Sequence, residues 1–183
     1  MYIRGSLGFR PVEAEDLELL KELHNEMSTL LQLGNVEMVS SEEQVRWWKN
    51  LVGSRTTKRF VIVEVPGGNV VGTIRVQNVD SINRNCEIGL DIVKALRGRG
   101  YGQGSYQLVL EYLFMHCNMH MVYLRVGEFN ERARRLYQRL GFVESGAFKE
   151  YVYRHGRYWD YLLMCMTKEH YLKICENRDE GHL

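Results

Sequence analysis

Arg97-Gly98-Arg99-Gly100-Tyr101-Gly102-Gln103-Gly104 is the stretch on which the reading of this chain turns. A β-rich segment precedes it. A helical period follows it: Tyr106, Val109, Leu110, Leu113, Phe114 and Cys117 fall at i, i+3, i+4, i+7, i+8 and i+11. The stretch is therefore a glycine turn between a strand end and a helix start. Glycine lets backbone amides come close to a ligand. The first turn of a helix carries N–H donors without intrahelical acceptors, and a partial positive charge. With Arg97 and Arg99 beside them, these donors make an anion site suited to phosphate. Two familiar phosphate loops do not fit. A P-loop needs Lys-Ser or Lys-Thr after its last glycine, and a dinucleotide turn needs GxGxxG where this chain has Gly100-x-Gly102-x-Gly104.

Working outward, residues 59–65 read as a strand, Pro66-Gly67-Gly68-Asn69 as a turn, and 70–78 and 85–93 as two further strands of an antiparallel meander. Beyond the glycine turn, 120–126 reads as a strand and 130–140 as a helix closed by Gly141. Strands at 142–154 and 157–167 are joined by His155-Gly156. Toward the N-terminus, 7–12 reads as a strand ended by Pro11, and 13–27 as a helix with Leu17, Leu20 and Leu23 on its apolar stripe. Residues 28–40 lack a period. Ser41 opens a helix with Gln44 at capping-box spacing, and Val45, Trp48 and Leu51 are expected on its buried face. Residues 168–183 are expected to fray after a short helical stretch. The fold class is α+β: a mixed, mostly antiparallel sheet of about seven strands flanked by about four helices, and not a doubly wound sheet. A single domain over 1–183, with its core at 7–168, is expected.

Composition excludes several functions. Among 183 residues, 45% are hydrophobic, enough for a sizeable core. The net charge of +1 leaves no basic excess for nucleic acid and no polybasic patch for a membrane. There is no apolar run of membrane-spanning length and no signal-peptide core at Met1–Ser6, so a cytoplasmic protein is expected. Cys86, Cys117, Cys165 and Cys175 form no CxxC pair and read as free thiols. His116-Cys117-x-x-His120 straddles a helix end and a strand start without a fourth ligand, so no metal is expected.

Further on, Asn130-Glu131-Arg132-Ala133-Arg134-Arg135-Leu136-Tyr137-Gln138-Arg139-Leu140-Gly141-Phe142 follows the glycine turn by about thirty residues. This segment resembles the N-x-x-A-x-x-x-Y-x-x-x-G-F stretch of the GNAT N-acetyltransferase superfamily. Arg97-x-x-Gly100-x-Gly102 resembles that family's Q/R-x-x-G-x-G/A signature. Val71-Gly72-Thr73-Ile74, Cys86-Glu87-Ile88-Gly89-Leu90, the opening Phe9-Arg10-Pro11 and Glu15-Asp16-Leu17 are similar too. The ending His155-Gly156-Arg157-Tyr158-Trp159-Asp160-Tyr161 resembles the subgroup of ribosomal-protein alanine and spermidine acetyltransferases.

The resemblance implies a GNAT-like sheet and transfer of an acetyl group from acetyl-coenzyme A to a primary amine, directly in a ternary complex. It implies that the backbone of Arg97, Gly98, Arg99, Gly100, Tyr101, Gly102 and Gln103 holds the coenzyme A pyrophosphate. A splayed strand then leaves Leu90, Asp91 and Ile92 to the pantetheine arm, with the Leu90 N–H as an oxyanion donor. Asn130 contacts the cofactor arm, Arg134 lies one helical turn on, and Tyr137 is the general acid.

The chemistry wants these parts. A departing thiolate benefits from a proton donor, and a tyrosine with a pKa of about 10 lies not far above a thiol at about 8.5. Tyr137 could instead be core, since it shares a face with Ala133 and Leu136. An attacking amine with a pKa near 10.4 is neutral in only about one molecule per thousand at pH 7, so a base is needed. Glu87, in an apolar strand, is the candidate, directly or through water; the alternative is a Glu paired to a basic neighbour. Trp47, Trp48 and the segment 28–40 are candidates for the acceptor wall or for plain core. That segment holds one carboxylate, Glu37, which weighs against a polyamine acceptor. Tyr151, Tyr153, Tyr158 and Tyr161 could border the acceptor or a homodimer contact. The acceptor is a protein N-terminus or a small amine; the alternatives are a polyamine or amino-sugar acetyltransferase, or a non-catalytic coenzyme A sensor.

Overall fold

The computed structural model describes residues 1–180. One eight-stranded sheet runs in the order β1-β2-β3-β4-β5-β6-β8-β7. Its strands are β1 (Tyr2–Arg4), β2 (Leu7–Pro11), β3 (Lys58–Glu64), β4 (Val70–Asp80), β5 (Asn85–Ile92), β6 (Met121–Gly127), β7 (Val143–Arg154) and β8 (Arg157–Thr167). Every pairing is antiparallel except β5 with β6. The helices are α1 (Leu17–Asn25), α2 (Met27–Leu30), α3 (Ser41–Leu51), α4 (Tyr101–Glu111), α5 (Glu131–Leu140) and α6 (Lys168–Glu180).

Alternation along the strands separates two cores. Ile62, Ile74, Ile88, Leu124 and Met164 face Tyr106, Val109 and Phe114 in the large core beneath α4. Val61 and Val63 turn to the opposite face, where Leu20 of α1 and the two tryptophans of α3 cover them. The sheet is thus sandwiched, with α4 and α5 on one side and α1 and α3 on the other.

Several expectations need correction. Strand β1 was absent from the reading; it is three residues long and carries little pattern. The helix expected over 13–27 breaks at Glu26, which caps α2 by accepting from the Thr29 N–H at 3.1 Å. Ser40, not Ser41, caps α3, and its box partner is Glu43 rather than Gln44. The face expected to be buried is also displaced: Gln44 is buried and Val45 is exposed. Residues 168–180 do not fray: Tyr171 stacks on Phe114 at 5.0 Å, and Ile174 joins the large core. Positions 181–183 lie outside the described residues.

Candidate active site

Strand β5 pairs with β6 only at Asn85, Cys86 and Glu87, opposite Met121, Val122 and Tyr123. Beyond Glu87 the two strands part, each keeping its other neighbour. In an antiparallel ladder, hydrogen-bonded pairs alternate. The Val93 N–H donates to the Val71 carbonyl at 2.9 Å, and Asp91 sits opposite Thr73. Asp91 and Gly89 therefore turn their amides to β4, while Leu90 and Ile92 turn theirs into the gap. The Ile92 carbonyl is taken by the Arg97 Nε at 2.9 Å. The Leu90 amide and carbonyl face a cleft, and groups so placed demand a partner.

That cleft has a volume of about 780 Å³ and runs between β5, the start of α4 and the face of α5. Leu90, Asp91 and Ile92 form one wall; Gly98, Gly100, Gly102 and Gln103 form its floor at the helix end. Gly98 and Gly100 have φ of +85° and +88°, which L-residues rarely adopt. A Cβ placed on Gly100 would meet nothing within 4 Å, so this glycine is not there to make room for a neighbouring side chain. It caps α4 in the left-handed conformation without a side-chain cap, so the first-turn amides of Tyr101, Gly102 and Gln103 have no intrahelical acceptor, and Gly102 and Gln103 line the cleft. This is a main-chain anion cradle, and a diphosphate fits it. Gly104 differs: a Cβ there would come within 2.9 Å of Leu7, so its role is close helix–sheet contact.

Not every residue of the turn points into the cleft. Arg97 borders it, but its guanidinium donates to the hydroxyls of Ser28 and Thr29 at 2.6 Å each, stitching α2 to the glycine turn. The Tyr101 hydroxyl donates to Glu64, away from the cleft. Arg99 is exposed and makes no hydrogen bond or ion pair among the described residues. Arg132 and Arg139 do border the cleft; the sequence reading missed them, although both lie inside the segment that carries the resemblance.

On the opposite wall, the Asn130 side chain accepts from the Ala133 N–H at 3.1 Å and so caps α5. Arg134 reaches back to the Glu128 carbonyl at 3.4 Å and does not border the cleft. Tyr137 does border it. Its ring is half-buried but largely surrounded by protein, meeting Tyr106 edge-on at 5.4 Å. The Tyr106 hydroxyl donates to the Tyr137 oxygen at 3.2 Å, leaving the Tyr137 proton free for another acceptor. Burial raises the Tyr137 pKa above its ordinary value, against the opposing pull of the Tyr106 hydrogen bond and the Arg75 charge. Tyr137 is therefore protonated at neutral pH, and Tyr106 and Arg75 both stabilise the phenolate left when the proton departs.

Glu87 is buried and engaged. Arg125 grips it in a bidentate pair at 2.9 and 2.8 Å, and Asn78 donates at 2.9 Å. A proton delivered to this carboxylate must reach the lone-pair site these three donors leave open.

A second cleft of about 560 Å³ lies on the other sheet face, between α1, α3 and strands β3 to β5. Leu23, Met38 and Trp47 give it apolar wall; Glu37, Glu43, Asp91 and Arg59 give it charge. Its far rim is fixed by Asn25, whose side-chain amide exchanges two 2.8 Å hydrogen bonds with the Val39 backbone. Asp91 is common to the two clefts and accepts from Arg75 at 3.1 Å. The residue brought in from the strands, rather than the segment 28–40 alone, supplies the acidic character that the sequence did not show. Of the hairpin tyrosines, Tyr161 is half-buried and stacks on Tyr151 at 5.7 Å, while Tyr153 and Tyr158 are exposed. His116 turns to the ring of Tyr2, away from His120.

A parted strand pair, a main-chain anion cradle and a half-buried tyrosine on the wall of the first cleft define a transferase that joins a diphosphate-bearing acyl carrier to a second substrate. The family model described as "Acetyltransferase (GNAT) domain" matches residues 6–143, and the chain belongs to that family. It is an acetyl-coenzyme A-dependent enzyme that moves an acetyl group to an amine. The spermidine N(1)-acetyltransferase of Vibrio cholerae is 28% identical over 95% of this chain and 100% of its own length. That of Escherichia coli K12 is 25% identical over 91% and 89%. The structure of a Vibrio cholerae spermidine N-acetyltransferase in complex with CoA and spermine superposes with a TM-score of 0.87 at 27% identity, covering 91% of this chain and 98% of that one.

Proposed function

We propose that the enzyme acetylates a small primary amine by direct attack on the thioester, with coenzyme A in the first cleft and the amine in the second. The observation that carries this reading is Asp91, which borders both clefts at the mouth of the strand gap. The amides of Tyr101, Gly102 and Gln103 hold the diphosphate; Arg132 adds charge at its side. Leu90, whose amide faces the gap, hydrogen-bonds the acyl carrier and donates to the developing oxyanion. The amine nitrogen bonds to the carbonyl carbon, the carbon–sulfur bond breaks, and Tyr137 protonates the departing sulfur. Glu87 accepts the amine proton through water at its remaining lone-pair site.

A protein N-terminus is the other acceptor that the amine reading admits. A polyamine is the second specific reading, favoured by the named activity of the Vibrio cholerae and Escherichia coli relatives and by Glu37 and Asp91 in the second cleft. The four cysteines are unpaired, in keeping with a reducing cytoplasm. The test is release of free thiol from acetyl-coenzyme A over a panel of amines and N-terminal peptides. Turnover of at least one small amine is expected. Coenzyme A binding with no turnover on any amine would sink the reading in favour of a sensor.

A further inference from the structure

Among the described residues Arg59 is a cation without an ion-pair partner. It sits on β3 directly opposite Arg75 of β4, so the two guanidiniums share one face of the sheet. Like charges placed so are destabilising. One carboxylate, Asp91, lies near the pair, and it is bonded to Arg75. Among the described residues Arg59 makes no hydrogen bond and no ion pair. It is half-buried at the wall of the second cleft and lies over the Trp47 ring at 5.2 Å. The stacking fixes the guanidinium against the cleft wall.

The other carboxylates of the cleft do not answer it. Glu43 accepts from the Ser40 amide and hydroxyl, both at 2.8 Å, as half of a capping box. Glu37 stands at the rim and takes a 3.3 Å contact from Asn35. Burial, and then the charge of Arg75, push the Arg59 pKa down to about 9, so the group remains a cation at neutral pH in a place unfavourable to one. A guanidinium offers a fork of donors matched to a carboxylate.

We propose that Arg59 anchors an anionic group of the acceptor, so that the preferred substrate is a primary amine that also carries a carboxylate. The inference rests on the reading that the second cleft holds the acceptor. Asp91 sits two strand spacings away across β4 and two residues further along the strand, a backbone separation of about 12 Å. The acceptor therefore spans the cleft with its carboxylate at Arg59 and its amine at Asp91, where the strand gap opens toward the thioester. A polyamine in the same pose would set an ammonium against Arg59, and like charges in a half-buried cleft repel strongly.

The test compares matched amines that differ by one carboxylate: lysine against cadaverine, and ornithine against putrescine, with spermidine alongside. In the wild type the amino acids are expected to exceed their diamines about 10- to 100-fold in kcat/KM, the range of one charge-assisted hydrogen bond. Arg59→Gln should erase that ratio through KM, and Arg59→Lys should restore part of it. Calorimetry of acetyl-coenzyme A on each variant reports that the fold and first cleft are intact. Diamines or spermidine turned over as well as the amino acids, or a ratio unmoved in Arg59→Gln, would overturn the proposal and leave amine acetylation standing. Turnover of none of these amines, with acetyl-coenzyme A bound, would remove the small-amine reading and this proposal together.

Discussion

The two clefts are built by different means. The first is made of main chain: the unpaired edge of β5, the uncapped first turn of α4, and two glycines at positive φ. The second is made of side chains drawn from α1, α3, the segment around Val39 and three strands. A backbone cradle recognises what all substrates of a family share, because its donors change little when side chains change. A side-chain wall recognises what differs. If the second cleft holds the acceptor, as proposed, the division places the specificity of this chain in side chains of that cleft such as Arg59 and Glu37.

The sharpest break of that comparison is on the wall of the first cleft, which Tyr137 lines. Tyr137→Phe should lower kcat about 100- to 10,000-fold, the range of a lost general acid, while calorimetry finds acetyl-coenzyme A affinity within about twofold. An unchanged kcat would return Tyr137 to the core. Next in size is Gly100→Val. A β-branched residue at φ +88° costs about 1–3 kcal/mol of strain, or distorts the cradle to avoid it. The expected result is an acetyl-coenzyme A Kd raised about 10- to 100-fold with a folded protein by circular dichroism. Normal affinity would mean that the amides of the turn do not hold the diphosphate.

The same division sets what the sequence could disclose. The glycine turn and the Gly141 stop are local, with every partner within a few residues, and their positions could be read directly; the capping role of Asn130 is equally local but was not read from the sequence. The central strands could be read as short apolar runs bounded by turn residues, because both faces of the sheet are covered. What escaped depends on partners far apart in the chain. The Glu87–Arg125 pair joins residues 38 positions apart, and nothing in an apolar strand names Arg125 as its partner. Arg59 opposite Arg75 emerges only once the β3–β4 register is fixed. The slip from Ser41 to Ser40 at α3 shows the limit within one helix: two adjacent serines and two adjacent glutamates offer two capping registers, and contact with α1 and the sheet decides between them.

Glu87→Gln sharpens the comparison from the sheet side. The amide cannot carry the bidentate ion pair, and Arg125, 29% exposed, would lose its counter-charge. Because that partner is partly solvated, the expected loss is about 1–2 kcal/mol in urea unfolding rather than the larger penalty of a fully buried pair. If Glu87 also takes the amine proton, kcat falls as well. A stability loss with an unchanged kcat would make Glu87 a purely structural carboxylate.

The smallest expected effect lies at the seam between the clefts. Glu26 caps α2 and accepts from Lys94 at 2.8 Å, while Arg97 lies 3.6 Å from it on the way to Ser28 and Thr29. The Lys94 and Ser28 hydrogen bonds draw its pKa from 4.5 down to about 2. A carboxylate with a depressed folded-state pKa stabilises the protein fully above its unfolded value and loses that contribution as pH falls toward the folded one. Glu26→Gln should therefore cost about 0.5–1 kcal/mol at pH 7, since the amide oxygen can still accept from the Thr29 N–H. The gap between wild type and variant should shrink from about pH 4.5 downward and close near pH 2. Urea unfolding at several pH values measures it. A gap that persists at low pH would show that the seam is held by shape and hydroxyl contacts.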